Sequence, residues 1–272
     1  MTSRQIKKLQ TTVYRHYDQQ GRHDLPWRQG ITAYKIMVSE IMLQQTQVDR
    51  VVPKFKSFLK KFPTIKKLAD APLVEVLTQW SGLGYNRRGR FLHEAAKAII
   101  RDHKGKIPSD PILLGLLPGI GKYTARAVAV QAFNKPYAMI ETNIRRVYIH
   151  HFFTDSAIVS DVELMPLIEK TFDTKNPRQW VWALMDYGSY LPKIVKNPNR
   201  KSSHYAKQSK FKGSIREVRG AILKTLIENK LGITLAKLKS AIKADDRFDG
   251  ALTGLLKDQM VILKNKKLQI KK

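Results

Sequence analysis

Leu117-Pro-Gly-Ile-Gly-Lys-Tyr-Thr-Ala-Arg-Ala-Val-Ala129, followed shortly by Met139-Ile-Glu-Thr-Asn143, reads as a glycine hairpin opening into a helix, with an acidic loop beyond it. Gly119 and Gly121 are expected to let the backbone turn tightly and to leave its N–H groups uncovered. Such N–H groups at a helix N-terminus form a site for an anion, for example a DNA phosphate. Glu141 follows Gly121 by 20 residues. A phosphate anchor with an acid nearby is the pattern of a site that acts on DNA.

The charge agrees with that pattern. The 272 residues carry a net charge of +28, which points to a polyanionic partner, nucleic acid first. The alternative is a charge kept only for solubility or as an adaptation to high internal salt. There is no cysteine, so disulfides and thiolate metal sites are excluded. No apolar run is long enough for a membrane span. The first residues, MTSRQIKKLQTTVYRHY, lack the apolar core of a signal peptide, and Ile6, Leu9, Val13 and Tyr17 recur at helical spacing instead. The expectation is a cytoplasmic, nucleoid-associated protein with no membrane partner, acting as a monomer.

Apolar residues three and four apart predict helices near 35–49, 50–61, 72–80, 87–103, 122–133 and 141–152. Turn signals separate them at Phe62-Pro63, Ala71-Pro72, Gly82-Leu83-Gly84, Gly105 to Pro108 and Pro118-Gly119. Residues 1–191 therefore read as an all-α catalytic region. Residues 192–213 are polar, basic and poorly periodic, a linker or DNA-facing loop. Residues 214–272 show helical patterns near 215–229, 234–243 and 248–259, then two short apolar runs about Asn265 that suggest a hairpin. Helices followed by a hairpin predict a small winged-helix-like module. Residues 192–272 hold 21 Lys and Arg against 6 Asp and Glu, a net +15, which leaves +13 for the longer remainder. The tail is read either as an electrostatic grip on DNA or as a solvated stability module.

Residues 25–191, about 60% of the chain, resemble the helix-hairpin-helix DNA glycosylase superfamily, and within it the MutY-type adenine glycosylases. The resemblance is carried by Leu25-Pro-Trp27, Val38-Ser-Glu-Ile-Met-Leu-Gln-Gln-Thr-Gln-Val48, Trp80-Ser-Gly-Leu-Gly-Tyr85, the hairpin Leu117-Pro-Gly-Ile-Gly121 and Asn143-Ile-Arg-Arg-Val147. It implies an all-α fold of two subdomains. One is a helical barrel over about 30–133, and the other is formed by 1–29 with 134–191. It also implies a target nucleotide flipped out of the duplex into a pocket.

The resemblance assigns roles residue by residue. Glu40 matches the general acid that protonates the departing adenine, since adenine leaves poorly as an anion; its other reading is an ordinary helix-surface carboxylate. Glu141 stands where the family usually has aspartate, the group that steadies or attacks the oxocarbenium-like C1′. Glutamate adds one methylene, about 1.5 Å of reach. Asn143 matches a residue that supports this acid and also has the position of a helix N-cap. Tyr123 stands where glycosylase-lyases carry a lysine, so the resemblance implies hydrolysis without lyase chemistry. Gly119, Gly121, Lys122 and Thr124 would meet DNA phosphate. Gln45 and Tyr85 match residues that wedge into the base stack; Tyr85 is otherwise core packing after a glycine turn. Trp27, Arg28, Leu43 and Trp182 match the neighbourhood of the base pocket, with Trp27 equally readable as core.

Besides Glu141, its main departure, the chain departs from the family in three places. Trp182 replaces a residue that is usually polar and touches the base. The four cysteines of the family's iron-sulfur cluster are missing, so no cofactor is expected beyond a structural alkali ion at the hairpin, and no metal ligand is assigned. The residues from 214 onward are too few for the Nudix-like C-terminal domain that relatives often carry. The expected function is removal of adenine mispaired with guanine or 8-oxoguanine in base excision repair, with duplex DNA as the partner. The alternatives are a thymine or uracil mismatch glycosylase of the same superfamily, or a non-catalytic protein that binds mismatched or bent DNA.

Overall fold

Leu9, Val13 and Tyr17, four residues apart, form the buried stripe of the first helix, α1 (Ser3–Gln20), whose start is closed by a reciprocal Thr2–Gln5 capping box. In the computed structural model, which describes residues 2–155, 158–206 and 208–271, helices dominate as the periodicity predicts. They are α2 (Ala33–Leu43), α3 (Val48–Lys61), α4 (Ile65–Asp70), α5 (Leu73–Trp80), α6 (Arg87–His103), α7 (Pro111–Gly115), α8 (Lys122–Phe133), α9 (Thr142–Phe152), α10 (Asp161–Thr171), α11 (Pro177–Tyr190), α12 (Ile215–Glu228), α13 (Leu235–Ala241) and α14 (Phe248–Lys257). The pattern read as one helix over 35–49 is broken: α2 ends at Leu43, because Gln45 takes a left-handed backbone (φ 55°) that no α-helix continues through.

The chain divides into two compact units. The first comprises residues 1–37, 108–116 and 120–207. Its core joins α1, α9, α10 and α11 through Val13, Tyr148, Ile168, Trp180 and Leu184, and takes in Ala127 and Val130 of α8. α8 therefore falls in this unit, whereas the expected boundary placed it with the helices before residue 107; the apolar face carrying Ala127 and Val130 decides this. Residues 192–203 are not a free linker. Two 3-10 turns, Leu191–Lys193 and Pro198–Lys201, are pinned to the unit by backbone bonds from Val159 to Lys201 (2.7 Å) and from Ser203 to Val159 (2.9 Å).

The second unit comprises 38–107, 117–119 and 208–272. Phe58 packs edge-on against Phe62 and Trp80 within it. Residues 214–271 fold as helix, strand, two helices and hairpin. β1 (Ile233–Thr234), β2 (Val261–Lys264) and β3 (Lys267–Ile270) form an antiparallel sheet in the order β1-β3-β2. Asn265 and Lys266 both have positive φ (49° and 59°), the geometry of a tight two-residue hairpin. This module is no separate appendage: Val218, Ile222, Leu226, Leu255 and Leu268 share one core with Leu73 and Leu77 of α5.

Candidate active site

The acidic loop is built by the start of α9. Glu141, in extended backbone, is the N-cap of this helix. Its Oε1 accepts the backbone N–H groups of Asn143 (2.7 Å) and Ile144 (2.8 Å), and its Oε2 accepts the side-chain Nδ2 of Asn143 (3.2 Å). The N-cap position expected of Asn143 thus belongs to Glu141, because the longer side chain folds back onto amides that the helix leaves unpaired. Asn143 Oδ1 in turn accepts Arg146 Nη1 (2.8 Å), and Arg146 Nε donates to Asn197 Oδ1 (3.2 Å). Asn199 Nδ2 donates to the carbonyl of Thr142 (2.9 Å). The segment after α11 therefore buttresses the acidic loop with two asparagines.

Glycine lets α11 reach this loop. A Cβ on Gly188 would lie 2.1 Å from the carbonyl oxygen of Asn143. Electrostatically, burial pushes the Glu141 carboxyl above its ordinary value, against the opposing pull of the two backbone N–H groups, Arg146 and Arg145. Tyr123 is partly buried against the core of the same unit.

At the hairpin only one glycine is required by conformation. Gly119 has φ +74°, and a Cβ there would come within 2.4 Å of Phe91 Cβ. Gly121 has ordinary extended backbone (φ −82°, ψ 173°) with open space around it and caps α8 without a side chain. The turn freedom expected of Gly121 is thus not used; what its bare Cα leaves is access to the first N–H groups of α8. Lys122 is exposed, but Thr124 is only 3% exposed, so it is not open to a phosphate.

In the second unit, Glu40 lies on α2 at 6% exposure, between the fully buried Ser39 and the buried Ile41. The helix-surface reading of Glu40 is therefore overturned by its burial. Leu43 closes α2, and exposed Gln45 follows in its left-handed turn. Tyr85 is half-buried, also with positive φ (46°). One residue ties these two loops together. Arg88 Nη1 donates to the carbonyls of Ile41 and Met42 (both 2.9 Å) and of Gln44, and its Nη2 donates to Thr46 Oγ1 (2.9 Å) and the Gly84 carbonyl (3.1 Å). Burial lowers its pKa to about 10, which leaves it charged at neutral pH.

The residues matched to the base pocket on the first unit are also placed. Trp27 is buried. Arg28 pairs with Asp186 through Nη1 (2.7 Å) and Nη2 (3.0 Å) and lies 5.0 Å over the ring of Trp182. Burial pushes the Asp186 carboxyl up, but Arg28 and Arg22 outweigh it and hold it below the usual range. Trp182 donates its indole N–H to Gln131 Oε1 (2.9 Å), so its polar edge is committed inside the protein.

Arg88, Arg146, Asp186, Gly188, Asn197 and Asn199 were not singled out by sequence reasoning. Arg146 has a local signal, its three-residue spacing from Asn143 on a helix; the others act across long separations with none. A four-iron cluster held by cysteines does not fit this chain, which has no cysteine. Among the described residues, no group of three or more His, Asp or Glu is arranged to hold a metal ion, and no helix is long and apolar enough to cross a membrane.

Residues 38–171 match the HhH-GPD superfamily of base excision DNA repair proteins. The chain is 34% identical to the adenine DNA glycosylase of Mycobacterium tuberculosis, over 89% of its own length and 87% of the relative's. It is 35% identical to the adenine DNA glycosylase of Mycolicibacterium smegmatis, over 89% and 88%. Among solved structures, a thermostable thymine-DNA glycosylase superposes with a TM-score of 0.63 at 26% identity, over 73% of this chain and 92% of that one. With a glycine hairpin leading into α8 and an acid capping α9, the chain belongs to the helix-hairpin-helix base excision repair superfamily and, within it, to the family of the adenine DNA glycosylases.

Proposed function

We infer that the protein is a monofunctional DNA glycosylase that hydrolyses the N-glycosidic bond of adenine mispaired with guanine or 8-oxoguanine. The observation that carries this reading is the Glu141 carboxylate, fixed at the N-terminus of α9 by three hydrogen bonds. A carboxylate so held is preorganised to face a developing cation. Glu40 supplies the proton to a ring nitrogen of adenine as the bond to C1′ breaks. Glu141 steadies the resulting cation, and water adds to C1′ and releases its proton to solvent, from which the Glu40 carboxylate is reprotonated, leaving an abasic sugar and free adenine. Tyr123, which has no amine, offers no Schiff-base route to strand cleavage. The open N-terminus of α8 beyond Gly121, with Lys122, is suited to a DNA phosphate.

Single-turnover base release tests this on duplexes carrying A opposite G, A opposite 8-oxoguanine and T opposite G, with matched controls. The expected result is adenine release, with strand scission only after alkali. Release of thymine instead would favour the thymine reading, which Trp182 and the likeness to a thymine-DNA glycosylase keep in play. Tight binding with no release would make the chain a mismatch binder.

A further inference from the structure

Tyr85 has a backbone conformation that residues with a Cβ adopt at a cost, and no glycine relieves it (φ 46°). What holds it comes partly from the far end of the sequence. Arg216, near the start of α12, donates from Nη1 to the Tyr85 hydroxyl at 2.6 Å, and its guanidinium lies 5.2 Å from the ring centroid. The guanidinium of Arg88 lies 5.5 Å from the same centroid, and Gln208 Nε2 also donates to the hydroxyl. Arg216 is itself braced: its Nη2 donates to Ser209 O (2.8 Å) and Ser209 Oγ (2.9 Å).

The rest of the module is fastened close by. Asp258, just past α14, pairs with Arg219 and with Arg87 (3.5 Å), and its carbonyl accepts Arg90. Arg87 opens α6 two residues after Tyr85. The module thus grips both the ring of Tyr85 and the chain that follows it. Its α14 exposes Asp249, Gly250, Thr253, Leu256 and Lys257, a face without a basic cluster.

We propose that Arg216 is a positioning residue for Tyr85, and that the C-terminal module serves to present this tyrosine to the base stack already ordered. The proposal rests on the reading of Tyr85 as a DNA wedge. A side chain fixed before binding loses less conformational freedom when it inserts, so the insertion is stronger. Stacking of an aromatic ring on a base is the contact at stake.

The test uses the full chain and a duplex with 2-aminopurine next to the mismatched adenine, whose fluorescence rises when its neighbour is unstacked. Arg216→Gln, Tyr85→Phe and the double variant are compared for that rise on binding, for single-turnover excision and for thermal stability. Each single variant is expected to cut the fluorescence rise and to slow excision about tenfold, and the double variant to be no worse than Tyr85→Phe, because the two residues act through one contact. Tyr85→Phe keeps the ring and loses only the hydroxyl, so it carries the test if Arg216→Gln folds poorly. An undiminished fluorescence rise in Tyr85→Phe, or effects that multiply in the double variant, would overturn the proposal. The fluorescence needs binding only. A chain that unstacks the duplex yet releases no base would refute the glycosylase reading and leave this one standing.

Discussion

Asn143 holds the Glu141 carboxylate at both oxygens, its main-chain N–H donating to Oε1 at 2.7 Å and its side-chain Nδ2 to Oε2 at 3.2 Å. The acid is thereby fixed in orientation and is also part of the helix start. Glu141→Gln keeps an oxygen for the helix amides but loses the charge; single-turnover excision is expected to fall by about 10²–10³. Glu141→Asp withdraws the carboxylate by about 1.5 Å, and a misplacement of that order costs roughly 10² in rate. Substantial excision by Glu141→Gln would remove Glu141 from the mechanism.

The same burial gives a pH signature. The folded-state pKa of Glu141 lies above its ordinary value of 4.5, chiefly through desolvation. Its contribution to stability is therefore present below that value and is lost as pH rises through the folded pKa. Relative to wild type, Glu141→Gln should gain stability as pH rises from acid toward neutral. His151, pulled down to about 4 by burial, acts in the opposite sense, with stability lost as pH falls, but it is common to both proteins and cancels in the difference. Melting temperatures across the pH range check this; a constant offset would contradict it.

Arg146 links the acidic loop to the segment that follows α11 through Asn143 and Asn197. Arg146→Met should destabilise the protein by about 1.5–3 kcal/mol, the usual range for a hydrogen bond to a charged group, and should slow excision as well. Asn199→Ala, which frees the Thr142 carbonyl, should cost about 1 kcal/mol. Urea unfolding and single-turnover rates read both. Unchanged excision in Arg146→Met would mean that the loop does not depend on this brace.

The two hairpin glycines should respond differently. Gly119→Ala meets both a left-handed backbone and the Phe91 side chain, so it should lower stability and DNA affinity together. Gly121→Ala has ordinary backbone and open space, so the fold should hold while affinity falls, if a phosphate approaches the α8 N-terminus there. Binding to an undamaged duplex at several salt concentrations, beside melting temperature, separates the two; full affinity in Gly121→Ala would move the phosphate elsewhere.

Removal of residues 208–272 should destabilise what remains of the second unit. Leu73 and Leu77 would lose their partners Val218, Ile222 and Leu226. Burying one such side chain is worth about 1.5–3 kcal/mol, so the shortened chain should melt earlier and tend to aggregate. A truncated chain with wild-type melting behaviour would show the module to be dispensable for folding.

Much of this was legible in residue spacing. Leu9, Val13 and Tyr17 announced α1, the turn residues announced the helix breaks, and Asn265 announced the β2–β3 hairpin, because local backbone preferences and the burial of one face act over a few residues. Glu40 and Glu141 are named through the family resemblance that their motifs carry, and Gly119 through its place in the glycine turn. The break at Gln45 was not visible, since glutamine carries no signal for a left-handed backbone; the carbonyls around it are held by Arg88, more than 40 residues away.

Spacing, composition and motif thus account for an all-α, strongly basic chain with two acids and a glycine hairpin, and the lack of cysteine excludes a cysteine-bound cluster. Tertiary structure alone decided how those groups are held. Only folding brings Asn197 and Asn199 to the acidic loop, buries Thr124, commits Trp182 to Gln131, and sets Arg216 against Tyr85 across 131 positions. The physical reason is that hydrogen-bond partners and burial are properties of space. Residues far apart in sequence share neither a helix face nor a turn, so their pairing is fixed only when the cores between them pack.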